Sequence, residues 1–331
     1  MNRVSKPGRR FITGIILGLM LACMGPFFLL ATETAAAADD VTIKVNGNTV
    51  KLDDPAFVSQ GRLYVPAAQI AQKLGATSSW DKEQEEIIIH TAFNDKAVLG
   101  NGVPVVYFNG ARYVMDAFPM FKDGRLYMPL IHLAELLHAE MTVKSEGDLI
   151  ELKQVDRAVV ADKYGLTEIS KEAGISKAEL LKRNGLDSKS TIKPGAKLKI
   201  LVPSFIGNPA DPYTEAELTL LAKITMVEAG YESYEGQLAI ANVILNRVKD
   251  SRFPGTIRDV IYSGRQFPPA HNGLLDKSKP HATALRAAKD ALNGKNNVKN
   301  AVYFFNPKFS KGSFWSSMDV IITIGHHSFA K

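Results

Sequence analysis

Apolar and polar positions alternate from residue 41, with Val41, Ile43 and Val45 on one side of an extended chain, ahead of Asn46-Gly47. A period of two followed by Asn-Gly predicts a strand and a two-residue hairpin turn. The same text returns 63 residues later: Asn109-Gly110 repeats the turn, and Gly61-Arg62-Leu63-Tyr64-Val65-Pro66 returns as Gly124-Arg125-Leu126-Tyr127-Met128-Pro129. Leu74 and Ala76 recur as Leu137 and Ala139. Each copy then predicts a short strand ending at its proline, a helix (67–74 in the first copy) and a closing strand (86–90). The expectation is two small α+β units packed as one domain over 39–153.

The pattern changes at residue 161. Helices are predicted over 166–173 and 177–184, with Gly174 and Gly185 as stops and Ser176 as an N-cap facing Glu179, before a strand over 197–201 entered through Pro194-Gly195. Pro209, Pro212 and a Gly-Asn, just past Pro203, mark 204–213 as a linker. Beyond it the period becomes 3.6. Thr214 and Glu217 form a capping box, and Leu218, Leu221, Ala222 and Thr225 continue one face to Glu228. A second helix over 236–248 carries the stripe Leu238, Ala241, Ile244, Leu245 and Val248.

At the N-terminus, Arg3, Lys6, Arg9 and Arg10 precede an uncharged apolar run over 11–32 and four alanines ending at Ala38. That order is the layout of a secretory signal in 1–38. Cleavage near Ala38 and retention as a membrane anchor both place the remainder outside the cytoplasm.

With 331 residues, 46% hydrophobic and 22% charged, the chain has room for two or three globular units and is neither disordered nor a multi-span membrane protein. The single cysteine, Cys23, excludes an internal disulfide and a thiolate zinc cluster. The net charge of +6 is unevenly placed: residues 39–153 carry −5, 154–203 carry +4 and 204–331 carry +4. A modest basic excess outside the cell suits wall glycan or lipid headgroups, with no nucleic acid as partner; a solvated basic face is the alternative.

Candidate chemistry sits in the last unit. Glu228, Glu232 and Glu235 would share a helix face if the helix continued past Glu228, and repulsion among them could raise one pKa toward that of a general acid. An acidic solvated turn is the plain alternative. His90, His132 and His138 stand at no ligand spacing and are expected at the surface or half-buried. His271, His281, His326 and His327 include no HExxH.

Three resemblances follow from these motifs. The paired GRLYxP segments resemble the N-terminal stalk domain of copper amine oxidases over 41–152, which implies a spacer or wall-adhesion role and no copper. Residues 154–203 resemble LysM, a βααβ glycan-binding module, through Ile175 with Leu180, Asn184-Gly185-Leu186, and Ile192-Lys193-Pro194-Gly195 with Lys197-Leu198. They depart from it at 155–162, where the usual opening strand with its Gly-Asp turn is missing. Residues 216–331 resemble the SleB/CwlJ family of cell-wall hydrolases through 224–247, Phe253-Pro254, Val260-Ile261-Tyr262, Gln266-Phe267, Tyr303-Phe304-Phe305-Asn306-Pro307, and Gly325, His327 and Phe329. Val227 and the order Gly230-Tyr231 depart from that pattern.

The last resemblance implies a mainly helical, lysozyme-like fold, so the expected class is multidomain α+β: a duplicated α+β stalk domain, a βααβ LysM-like module and a helical catalytic domain over 214–331. It also implies a lytic transglycosylase in which Glu228 protonates the glycosidic oxygen between N-acetylmuramic acid and N-acetylglucosamine. The muramyl 6-hydroxyl then closes to a 1,6-anhydro product, with no second carboxylate, no metal and no cofactor. Glu232, Gln266, Tyr303, Asn306 and His327 are substrate-binding candidates, Glu232 as a supporting hydrogen-bond partner with a surface role as its alternative. Phe267 and Phe304 are expected in the core, and Trp315 as an anchor or a stacking residue. The competing readings are a zinc amidase cutting the link between muramic acid and L-alanine, and a non-catalytic wall-binding protein.

Overall fold

Both Asn-Gly pairs take the left-handed backbone that a two-residue hairpin requires: φ is 49° and 81° at Asn46 and Gly47, and 52° and 85° at Asn109 and Gly110. These values come from a computed structural model that describes residues 36–37, 41–144, 148–264 and 266–331. The basic and apolar segment read as an export signal lies outside the described residues. Among the described residues no helix is long and apolar enough to cross a membrane.

Strands β1 (Ala36–Ala37), β2 (Thr42–Val45), β3 (Asn48–Val50), β4 (Phe57–Ser59) and β5 (Arg62–Pro66) lead into α1 (Ala67–Lys73) and the hairpin of β6 (Thr77–Asp81) and β7 (Glu86–His90). After β8 (Lys96–Gly100) come β9 (Val105–Phe108), β10 (Ala111–Val114), β11 (Met120–Lys122), β12 (Arg125–Pro129), α2 (Leu130–Leu136), β13 (Ala139–Lys144) and β14 (Leu149–Gln154). The pairing crosses between the copies. β5 and β12 run antiparallel with Val65 opposite Met128, a register that the 63-residue offset maps onto itself. The closing hairpin of the first copy reaches the opening hairpin of the second through β8, while β14 pairs directly, and parallel, with β2. The two units expected from the sequence are thus interleaved around one core in which Val65, Ile70 and Ile89 meet Met128, Leu133 and Leu152. A helix needs a sheet to bury its apolar face, and each copy's hairpins are too small to supply one alone.

The middle segment runs β15 (Ala158–Val159), α3 (Leu166–Ala173), α4 (Lys177–Arg183) and β16 (Lys197–Leu198), with β15 antiparallel to β16. An opening strand is therefore present although its usual turn motif is not. Val160, Ile169, Leu180 and Leu198 form a small buried core. Ser176 caps α4 by accepting from Glu179 N at 3.1 Å, and the Glu179 side chain accepts from Ser176 N at 2.7 Å.

This segment is fastened to the first by a buried ionic group. Arg183 donates to both oxygens of Asp95 at 3.1 and 2.7 Å, with neither side chain exposed, and Lys199 and Asn109 also donate to Asp95. Burial alone would push the Asp95 pKa up, but the Arg183 hydrogen bonds and charge, helped by Lys199 and Asn109, hold it below the usual range. His138 lies fully buried beside them and is pushed down to about 4, chiefly by burial and then by the Arg183 charge, so it is neutral at pH 7. His132 is also buried and bonds Asp116. Both histidines, expected nearer the surface, are core groups, because each sits on the inward side of an apolar run; His90 is exposed.

Residues 204–213, read as a linker, are packed rather than free. Phe205 and Ile206 enter the first core, Val114 N donates to Asn208 O at 2.8 Å, and Ala210 N donates to Arg112 O at 3.0 Å. There follow α5 (Glu215–Ala229), α6 (Tyr234–Lys249), α7 (Ile257–Tyr262), α8 (Leu274–Lys277), α9 (Ala282–Leu292), β17 (Tyr303–Phe305), α10 (Ser313–Ser316), β18 (Val320–Ile324) and β19 (His327–Ala330). Helix α9 packs on both α5 and α6, and the last three strands form a sheet in the order β17-β19-β18. The first domain grips the end of α9. Arg112 donates to Leu292 O at 3.2 Å and to Asn293 Oδ1 at 3.0 and 2.8 Å, while Glu86 accepts from Lys289 at 2.7 Å and Glu85 from Arg286 at 2.9 Å. The architecture is mixed α/β, with several sheets and ten helices among the described residues.

Candidate active site

Helix α5 begins at the expected box: Thr214 accepts from Glu217 N at 3.1 Å and Glu217 accepts from Thr214 N at 2.7 Å. Leu221, Ala222 and Thr225 are buried along it, and Glu228 arrives half-buried in its last turn. The helix stops at Ala229. Gly230 is a poor helix former, and Ser233 starts a new helix by accepting from Gly236 N. The shared glutamate face therefore does not form, and Glu235 is exposed in the first turn of α6.

Burial, not repulsion from other carboxylates, sets the protonation of Glu228. It pushes the pKa up to about 7, against the opposing charge of Arg247. Among the described residues none hydrogen-bonds this carboxyl. Arg247 is itself buried: Nε donates to Val302 O at 2.7 Å, and the guanidinium lies 5.1 Å from the Phe253 ring centre and 5.4 Å from that of Phe267. Its Nη1 is buried without a hydrogen-bond partner, and burial brings its pKa down to about 10, which leaves it charged at neutral pH.

Glu232 occupies a different setting, between α5 and α6. Its carboxylate accepts from His326 Nδ1 at 2.9 Å and from His326 N at 3.3 Å, and lies 3.5 Å from His327 Nδ1. Burial lowers the His327 pKa, with Glu232 opposing.

The other candidates divide. Tyr303 is half-buried with its ring 6.1 Å from Phe253 and 6.2 Å from Phe314. Asn306 folds its own turn, Oδ1 accepting from Lys308 N at 3.0 Å. Gln266 is exposed on the loop before Phe267. Phe267 is fully buried and stacks on Phe304, and Trp315 is anchored 5.0 Å from Phe305. His281 caps α9, its Nδ1 accepting from Ala284 N at 3.1 Å while Nε2 donates to Gly230 O at 3.1 Å. Among the described residues no group of three or more His, Cys, Asp or Glu side chains could hold a metal ion. Sequence reasoning missed Arg247, and weighed His281 only as a metal ligand rather than as the cap of α9. A lone arginine inside the apolar stripe 238–248 was the available signal for the first; the cap had none.

Comparison with known proteins gives three matched segments. Residues 44–162 match the copper amine oxidase N-terminal domain, residues 165–201 the LysM domain, and residues 231–330 the Cell Wall Hydrolase family. Glu228 lies just before the last of these. A spore cortex-lytic enzyme of Bacillus cereus is 36% identical over 124 residues, covering 38% of this chain and 48% of that protein. The cell wall hydrolase CwlJ of Bacillus subtilis is 28% identical over 123 residues, covering 35% of this chain and 85% of that protein. The solved catalytic domain of the germination-specific lytic transglycosylase SleB from Bacillus anthracis is 36% identical, covering 37% of this chain and 98% of that chain with a TM-score of 0.35. The chain spans about half the length of the spore cortex-lytic enzyme from Bacillus cereus.

Proposed function

We propose that this protein, whose C-terminal segment is a cell wall hydrolase domain, is a lytic transglycosylase that cleaves the glycan backbone of peptidoglycan. The observation that carries the reading is Glu228: a half-buried carboxyl, raised to about 7, in the last turn of α5. Such a group is still about half protonated at pH 7 and can hand its proton to a glycosidic oxygen. A hydroxyl of the substrate then closes the ring and returns a proton to Glu228, so a second carboxylate is not needed as it is in most glycosidases. Arg247 stabilises the carboxylate formed in the first step.

In this reading the catalytic domain covers 214–331, the LysM-like module over 154–203 holds glycan, and the duplicated domain over 39–153 fixes both on one frame. The substrate is spore cortex or vegetative wall, and residues 1–38 direct export. Glu228 is the catalytic residue, Tyr303 and His327 face the glycan, Glu232 supports His327, and Gln266 and Asn306 border the groove.

The test is mass spectrometry of muropeptides released from cortex and from vegetative peptidoglycan by residues 39–331, with Glu228→Gln in parallel. Wild type is expected to release 1,6-anhydromuramyl ends and the variant at least a hundredfold fewer. New L-alanine amino termini instead would establish an amidase and overturn the assignment.

A further inference from the structure

Glu232 is held more tightly than a sugar ligand on a groove surface would be. Its carboxylate is almost buried, with a side-chain exposure of 10%. At Gly325, φ is +58° in the turn between β18 and β19, and an added Cβ would overlap Glu232 Oε2. On the other side, a Cβ on Gly236 would stand 2.8 Å from Glu232 Cβ. The side chain is therefore seated between two bare backbones, and only glycine at 325 leaves room for the carboxylate.

The seat fixes what the carboxylate can reach. His326 donates to Oε1 through Nδ1, and the His327 Nδ1, buried and without a hydrogen-bond partner, faces the same oxygen at 3.5 Å as a charge contact. The His327 ring packs edge-on to Phe304 at 5.7 Å and lies 6.4 Å from Phe329. Nδ1 is buried, so the 16% of this side chain that is exposed lies elsewhere on it. A carboxylate facing one imidazole nitrogen places the proton there and leaves the other nitrogen as an acceptor.

We propose that Glu232 is a positioning residue: it keeps the proton of His327 on Nδ1 and so presents Nε2 as a hydrogen-bond acceptor for a hydroxyl or amide N–H of the bound glycan strand, four residues from Glu228. The inference rests on the glycan-cleaving reading and adds to it the group that orients the strand. The charged and titratable groups facing His327 are Glu232 and His326.

The experiment uses the full chain with nitrogen-labelled histidine. The imidazole spectrum of wild type is expected to show His327 protonated on Nδ1, and Glu232→Gln, which removes the charge but keeps the shape, to lose that bias. With soluble glycan strands, Glu232→Gln and Gly325→Ala are each expected to raise KM about tenfold while kcat stays within about twofold, and His327→Gln to retain more activity than His327→Ala. Glu232→Gln should add little to His327→Ala, since both act through one ring. If Glu232→Gln does not fold, the wild-type tautomer and Gly325→Ala still decide. A His327 protonated on Nε2, an unchanged KM, or additive losses would overturn the proposal with the reaction intact. Absence of anhydro product from wild type would overturn the reaction and leave the tautomer result standing.

Discussion

In the proposed reaction, Glu228 couples chemistry to stability through one proton. Its pKa is about 7 in the folded chain and 4.5 as an ordinary glutamate, so the unfolded chain ionises first as pH rises. Wild type should therefore lose stability relative to Glu228→Gln between about pH 4.5 and 7, by about 3 kcal/mol in all, and no further above that. Paired denaturant titrations across this range check it; a difference that does not vary with pH would mean the carboxyl is not buried in solution. Turnover should decline above about pH 7 as Glu228 loses its proton. Glu228 at the end of a capped helix was legible in the sequence. Its mechanism of activation was not: the triplet 228, 232, 235 suggested mutual repulsion, whereas a helix break at Gly230 sends the three carboxyls to different surroundings and leaves desolvation as the cause. Gly230 and the Ser233 cap mark that break locally, and His281 adds a hydrogen bond to Gly230 O from 51 residues away.

At the scale of elements, α9 decides how the glutamate helix is supported, because it lies against both α5 and α6. Its C-terminus closes in a local glycine cap, Gly294 N donating to Ala291 O and Lys295 N to Asp290 O, and Arg112 from the first domain adds bonds to Leu292 O and to the Asn293 side chain. Arg112→Ala should lower the stability of the helical domain by about 1–3 kcal/mol and speed amide exchange in the last turn of α9, while leaving the first domain's own exchange unchanged. The buried Asp95 group behaves differently. Removing its charge with Asp95→Ala strands Arg183 and should cost about 3–5 kcal/mol, more than most apolar truncations nearby. Because the Asp95 pKa is held low, the stability it contributes is present at neutral pH and is lost as the solution is acidified below the ordinary carboxylate range. Acid titration of wild type against the variant checks both the size and the direction. The helices of the middle segment were readable to within a residue or so from Gly174, Gly185 and the Ser176 cap. The ionic tie was not, since Asp95, Arg183 and Lys199 lie in separate segments and carry no spacing.

For the whole molecule, the segment over 204–213 is the clearest difference between composition and structure. Its prolines and Gly-Asn suggest a tether, but Phe205 and Ile206 are buried and its backbone pairs with β10. Limited proteolysis of the native protein is expected to spare 204–213; rapid cutting there would show that the domains are free of one another. The duplicated domain shows the same limit of reading: the repeat was plain in the text, but the crossing of strands between copies was not, because both arrangements use the same strands. That crossing has a consequence for origins. The pairing of β5 with β12 is symmetric about Val65 and Met128, and β14 completes a sheet begun by β2, so one copy alone lacks the strands that close its core. An ancestor with a single copy would have had to borrow those strands from a second chain, as a twofold homodimer, before tandem fusion made the partner permanent.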